Sequence, residues 1–192
     1  LVGSEMCIRD SSITPLKGGL HVDVGDRSIE FGLLEAASPS EGVRVILIGQ
    51  DEYFAREGVY TDPSSGDGYA DNAERFVFFT LAALETLREL GEPVEIVHCH
   101  EHHTALAPAY LKLRYRQDPI LGRAASVYTL HNLGYQGAYG PEVLDLTGFG
   151  RDQFFAGSPF EHNGHVTVMK VGGSFADRVY SFSQIYALEI CS

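Results

Sequence analysis

Four short runs rich in β-branched residues, spaced by longer amphipathic segments, constrain this chain more than any other feature. They are Val43-Arg-Val-Ile-Leu-Ile-Gly49, Val94-Glu-Ile-Val-His-Cys99, Ala125-Ser-Val-Tyr-Thr-Leu130 and Asp177-Arg-Val-Tyr-Ser-Phe182. Near-continuous apolar runs of this length predict strands covered on both faces. The segments between them predict helices. One opens at Asp71, with Glu74 completing a capping box, and carries Phe76, Phe79, Ala83, Leu84, Leu87 and Leu90 before Gly91 ends it. Phe76 and Phe79 are expected in the core. A second runs from near Thr104 to about Arg116, with Pro108 early enough to be tolerated. A third spans roughly Val166 to Ala176, weakened by Gly172-Gly173, and a fourth covers Gln184 to Ile190 with Ser183 as its N-cap. Strand and helix in alternation predict an α/β, Rossmann-like, doubly wound parallel sheet. Ahead of it, Leu20 to Val24, Gly25-Asp26 and Ser28 to Glu35 predict a decorating β-hairpin. Tyr60 to Ala70 and Gly134 to Gly164 read as loops, the second long enough to suggest that it faces a substrate.

Composition narrows the partners. Twenty-six acidic against fourteen basic side chains give a formal charge of −12, which argues against nucleic acid or an anionic membrane surface. No apolar run approaches the roughly 18 residues that span a bilayer, and Leu1 to Asp10 lacks the pattern of a signal peptide. The three cysteines, Cys7, Cys99 and Cys191, are odd in number and scattered, so no disulfide framework is expected. A cytoplasmic location is expected on these grounds.

In open parallel sheets, ligands sit beyond the carboxyl ends of the strands. That rule marks His98 to His103, then His131-Asn132, then Ser181 to Ser183. The densest group is His98-Cys-His-Glu-His-His103. The spacing of His98, His100 and His103 resembles the H-x-H-x-D-H motif of metallo-β-lactamase-like zinc hydrolases, with Glu101 and His102 at its variable and aspartate positions. A zinc hydrolase built on those three histidines is one reading. A pocket lip that binds sugar is the other.

Four motifs in order favour the sugar. Asp71-Asn-Ala-Glu-Arg-Phe76 is similar to the D-N-x-x-R-F helix start of bacterial glycogen (starch) synthases. Val97 to Leu111 resembles their H-x-H-D-W-x-T/A-x-L-x-P-x-Y-L segment. Tyr128 to Gly137 resembles T-x-H-N-L-x-Y-Q-G. Val166 to Ser183, with Lys170 and Ala176-Asp-Arg-Val179, resembles F-L-K-x-G-x-x-Y-A-D-R-V-x-x-V-S. The resemblance covers about Leu20 to Ile190. It implies the N-terminal half of a GT-B glycosyltransferase, truncated, in which two Rossmann-like domains close on a cleft. The implied reaction carries glucose from ADP-glucose to the non-reducing 4-hydroxyl of an α-1,4-glucan, with retention and without a metal or other cofactor.

By the same resemblance His131 and Glu101 are the expected catalytic residues, and Asn132, Tyr60, His100 and Gln136 the expected substrate-binding ones. Imidazole, amide, carboxylate and phenol supply the fixed donors and acceptors that sugar hydroxyls require. Glu101 and His102 depart from the family's aspartate and tryptophan. Leu16-Lys-Gly-Gly-Leu20 looks like the family's K-T-G-G-L donor loop, but its spacing is wrong, and it reads as a turn of the first strand. Residues 11–192 are therefore expected to form a partial catalytic domain, inactive without its C-terminal partner domain. Residues 1–10 have no counterpart in the family and are expected to be non-native. A noncatalytic glucan-binding domain is a third reading.

Overall fold

The computed structural model describes residues 12–38 and 40–183. The expected helix Gln184 to Ile190, Cys7, Cys191 and the segment 1–10 lie outside the described residues. The chain divides into two compact units, one formed by residues up to Asp23 with Ser28–Tyr69, the other by Val24–Arg27 with residues from Ala70 onward.

The first unit holds a three-stranded sheet in the order β1-β2-β3, with β1 at Ile13–Val24, β2 at Arg27–Ala36 and β3 at Val45–Gly49. The two-residue turn Gly25-Asp26 makes β1 and β2 the expected hairpin, longer than its apolar pattern suggests. Ile29, Phe31 and Leu33 alternate onto the buried face of β2. β3 is not a strand of the parallel sheet. It pairs antiparallel with β2, from Gly32 opposite Gly49 to Ala36 opposite Val45, and all five of its residues are only half-buried. A short apolar run cannot by itself tell a central parallel strand from an edge of a meander. Leu16 to Leu20 lies inside β1 rather than at a turn, with Gly19 at φ 72°. A one-turn helix, α1 (Asp51–Phe54), follows, its first N–H groups capped where Gln50 accepts from the Tyr53 amide at 2.8 Å.

The second unit holds the parallel sheet. Its order is β4 (Ile96–His100), β5 (Ala125–Leu130), β8 (Arg178–Ser181), with Ile96 beside Ala125 and Val127 beside Arg178. Asp177 locks β8 to β5: its carboxylate accepts from the Ser126 amide (2.7 Å) and hydroxyl (2.9 Å) and pairs with Lys112 (2.5 Å).

The long helix α2 (Asn72–Leu90) starts and stops where expected, with Gly91 left-handed at φ 73°. Two details differ. Asp71 is the N-cap, but its side chain makes no capping bond, and Glu74 accepts from Arg27 at 2.6 Å. The buried stripe is Val77, Phe78, Leu81, Ala82 and Leu84, while Phe76 and Phe79 are half-buried on its flank. Several apolar residues sit on both sides of this helix, so periodicity fixes the helix but not which side turns inward.

Past β4, a 3₁₀ turn (His102–Thr104) leads into α3 (Ala107–Leu113), shorter than the expected span and with Pro108 in its first turn. The expected loop Gly134 to Gly164 carries structure: β6 (Ala138–Tyr139), α4 (Val143–Thr147) and a 3₁₀ turn (Arg151–Gln153). β6 pairs with β7 (Val166–Thr167), which runs directly into α5 (Val168–Phe175). In α5, Gly172 is a packing residue. A Cβ there would stand 2.8 Å from the Ala105 carbonyl oxygen and 2.9 Å from the Tyr128 ring. Lys170 is a brace, donating to the carbonyls of Ser158 (2.9 Å) and Glu161 (2.5 Å). Among the described residues no helix is long and apolar enough to cross a membrane.

Candidate active site

The parallel register sets His98 beside Val127 and His100 beside Thr129, so the two histidines of β4 and the end of β5 share one edge of the sheet. Side chains of a strand alternate in direction. His98 and His100 therefore share an exposed face, while Cys99 turns inward and is buried. Burial pushes the Cys99 thiol up to about 12, which keeps it an unreactive thiol.

His98 Nε2 meets the Thr129 hydroxyl at 2.7 Å. His100 Nδ1 meets His131 Nε2 at 3.0 Å, a contact in which one ring must donate and the other accept. The His100 imidazole titrates below its usual range, first because of burial and then because His98 and His131 carry like charge when protonated. Thr104 fixes the backbone of His100, accepting from its amide (2.8 Å) and donating to its carbonyl (2.7 Å).

Glu101 stands at φ 58° and ψ −178°, a region that favours glycine. Its amide donates to the Thr129 carbonyl at 3.1 Å. Its Oε1 accepts from the backbone amides of His131 (2.5 Å) and Asn132 (2.8 Å). The strained backbone thus aims a carboxylate at the turn that presents His131. Asn132 spends its Oδ1 on the Gly134 amide (2.8 Å), closing a local turn. Gln136 is exposed, and its carbonyl accepts from the Met169 amide at 3.2 Å.

The structure thus brings His100, Glu101, His131 and Asn132 together, with Gln136 four residues further along the loop. Tyr60 belongs to the first unit, in the loop bridged by Thr61 and Gly68, where it is 42% exposed. Phe182, just past β8, lies in the stretch marked by the strand-end rule, although no role attaches to it from sequence. Its ring centroid is 6.2 Å from that of His131.

The three histidines of the zinc reading do not form a cluster. His98 and His100 contact Thr129 and His131. The ring of His103 turns inward, 4.5 Å from Phe76 and 3.8 Å from His102 between centroids. Burial holds both inner histidines below their usual range, His103 at about 4. Among the described residues no group of three or more His, Cys, Asp or Glu side chains is placed to hold a metal ion.

Among the described residues, a three-stranded parallel sheet with polar residues gathered at its carboxyl edge defines an α/β protein with a candidate site at its strand ends. The starch synthase catalytic domain family matches residues 6–192, and this chain belongs to that family. Glycogen synthases from Thermodesulfovibrio yellowstonii (41% identical over 152 residues, 79% of this chain and 30% of that protein) and Pseudothermotoga lettingae (38% over 161 residues, 84% and 32%) are similar to it. Among solved structures, the catalytic domain of starch synthase IV from Arabidopsis thaliana bound to ADP and acarbose matches with a TM-score of 0.79 at 25% identity, over 94% of this chain and 36% of that one. The chain therefore spans about one third of the length of these relatives.

Proposed function

We propose that this chain is part of a glucosyltransferase that carries glucose from ADP-glucose to the non-reducing 4-hydroxyl of an α-1,4-glucan, with retention, and that the glucose lies against His131. Family membership supports the chemistry, and the Arabidopsis relative binds ADP and acarbose. The observation that carries the site is the double constraint on His131: its backbone is held by Glu101, and its ring is held by His100. An exposed imidazole held in direction can bond a sugar hydroxyl and favour the positive charge that grows on the sugar ring as the glycosidic bond breaks. Glu101, bonded to two backbone amides, acts in this reading by positioning His131. Asn132 shapes the turn, while His100 and Gln136 complete the expected sugar contacts on this unit.

The departing ADP carries a diphosphate whose charge needs cations. This chain, at −12 and one third of its relatives' length, is proposed not to complete transfer by itself. The partner is the C-terminal half of the GT-B fold, and the scattered cysteines suit the cytoplasm. The test places His131→Ala in the full-length enzyme and measures glucose incorporation from ADP-glucose. A loss of about a hundredfold or more is expected, and unchanged turnover removes His131 from the mechanism. Titrated alone, the chain is expected to bind a maltooligosaccharide and not ADP-glucose.

A further inference from the structure

Four rings run along the carboxyl edge of the parallel sheet. His98 and His100 are 4.2 Å apart between centroids, and His100 and His131 are 5.3 Å apart, each pair tilted by 31°. Phe182 extends the row beyond His131 at 6.2 Å, with planes only 14° apart. The row follows the strand order β4-β5-β8, so the sheet topology itself builds it. Phe182 is 62% exposed, and its phenyl ring offers an apolar face that the three imidazoles lack.

We propose that Phe182 is a sugar-stacking residue, taking the C–H face of a pyranose whose hydroxyls are bonded by His131 and His100. This rests on the reading of the His131 cluster as the glucose site. A pyranose chair carries C–H groups on its faces and hydroxyls around its rim. A site that selects it therefore needs a flat apolar surface with a few donors and acceptors beside it. Phe182 supplies the surface and the paired imidazoles supply the rim contacts. The sugar lies across the row, not between His131 and Phe182. Two layers of carbon contact need about 7 Å or more, and the rings are 6.2 Å apart. The near-parallel contact also sets the plane of the His131 ring, so Phe182 acts on that residue as well as on the sugar.

The test is calorimetric titration of the chain with maltoheptaose, comparing Phe182→Leu and Phe182→Tyr, with ¹H–¹³C NMR of the histidine rings. Leucine keeps the apolar character but removes the ring, and is expected to weaken binding by roughly two- to tenfold. Tyrosine keeps the ring and is expected to bind like the parent. Only the leucine variant should move the His131 ring resonances, through loss of the neighbouring ring current. A leucine variant that binds like the parent overturns this inference alone, as does equal loss in both variants. A parent chain that takes no maltoheptaose overturns the inference together with the glucose-site reading.

Discussion

The Glu101 carboxylate and the His131 backbone are joined across adjacent parallel strands, Oε1 accepting from the His131 amide at 2.5 Å while the neighbouring Asn132 amide adds a second bond at 2.8 Å. Glu101 makes the contact from a left-handed φ of 58° immediately past β4. The chain accepts local strain, of order 1–3 kcal/mol for such a residue, to fix the turn that carries His131.

Glu101→Ala removes the acceptor but leaves the strained backbone. It is expected to lower the unfolding free energy by about 1–2 kcal/mol, read from urea denaturation, and to move the amide resonances of His131 and Asn132. Glu101→Gly removes the same acceptor while relieving the strain, and is expected to be the more stable of the two. Equal stability would sever the link between backbone strain and carboxylate.

The adjacent glycines of α5 should respond oppositely to an added methyl group. Gly172→Ala forces a Cβ within 2.8 Å of the Ala105 carbonyl oxygen and 2.9 Å of the Tyr128 ring, and is expected to cost about 1–3 kcal/mol. Gly173 has nothing within 4 Å of that position, so Gly173→Ala should be neutral or stabilising by up to about 1 kcal/mol. Thermal unfolding of both variants checks the contrast.

Burial holds His103 neutral, with its ionisation near 4 against an ordinary value of about 6.5. The unfolded chain therefore binds the extra proton in the intervening range, and His103's contribution to stability is complete above about pH 6.5 and lost as pH falls toward 4. His103→Phe should flatten the urea midpoint across that window, and a slope identical to the parent's would show that His103 does not set it.

Asp177 governs a lower window. The Lys112 ammonium and the Ser126 groups hold its carboxyl at about 2. A depressed carboxyl stabilises the fold above its unfolded value of about 4, and that contribution is lost as pH falls toward 2. Asp177→Asn should abolish this acid-side loss and loosen β8, which hydrogen exchange at Tyr180 would register.

Of the parallel strands only β5 is largely buried, and its apolar run, Ala125 to Leu130, matches the strand to the residue; β4 and β8 are mostly exposed, so the expectation of strands covered on both faces does not hold for them. The stop of α2 was legible in Gly91, since a left-handed φ has few other candidates. The run Val43 to Gly49 reads as a strand of the parallel sheet, yet Val45–Gly49 serves an antiparallel partner, and only the pairing with β2 distinguishes the two. Glu74 fits the capping pattern, and its bond from Arg27, distant in sequence, is not visible in residue order. At the candidate site, strand-end placement marks His100 and His131, and the structure sets them in contact. Their contact, the anchoring bonds of Glu101 and the ring of Phe182 depend on φ angles and on register, neither of which leaves a mark in residue order.

The Thr80 hydroxyl lies between the carbonyls of its own helix at Phe76 (2.8 Å) and of the histidine run at His103 (3.0 Å), able to donate to either. The turn beyond β4 is therefore tied to the middle of the nineteen-residue helix α2 and is not a loose surface strap. Its amides should exchange with solvent on the slow clock of that helix, and the histidines should keep their aim while the surrounding loops breathe.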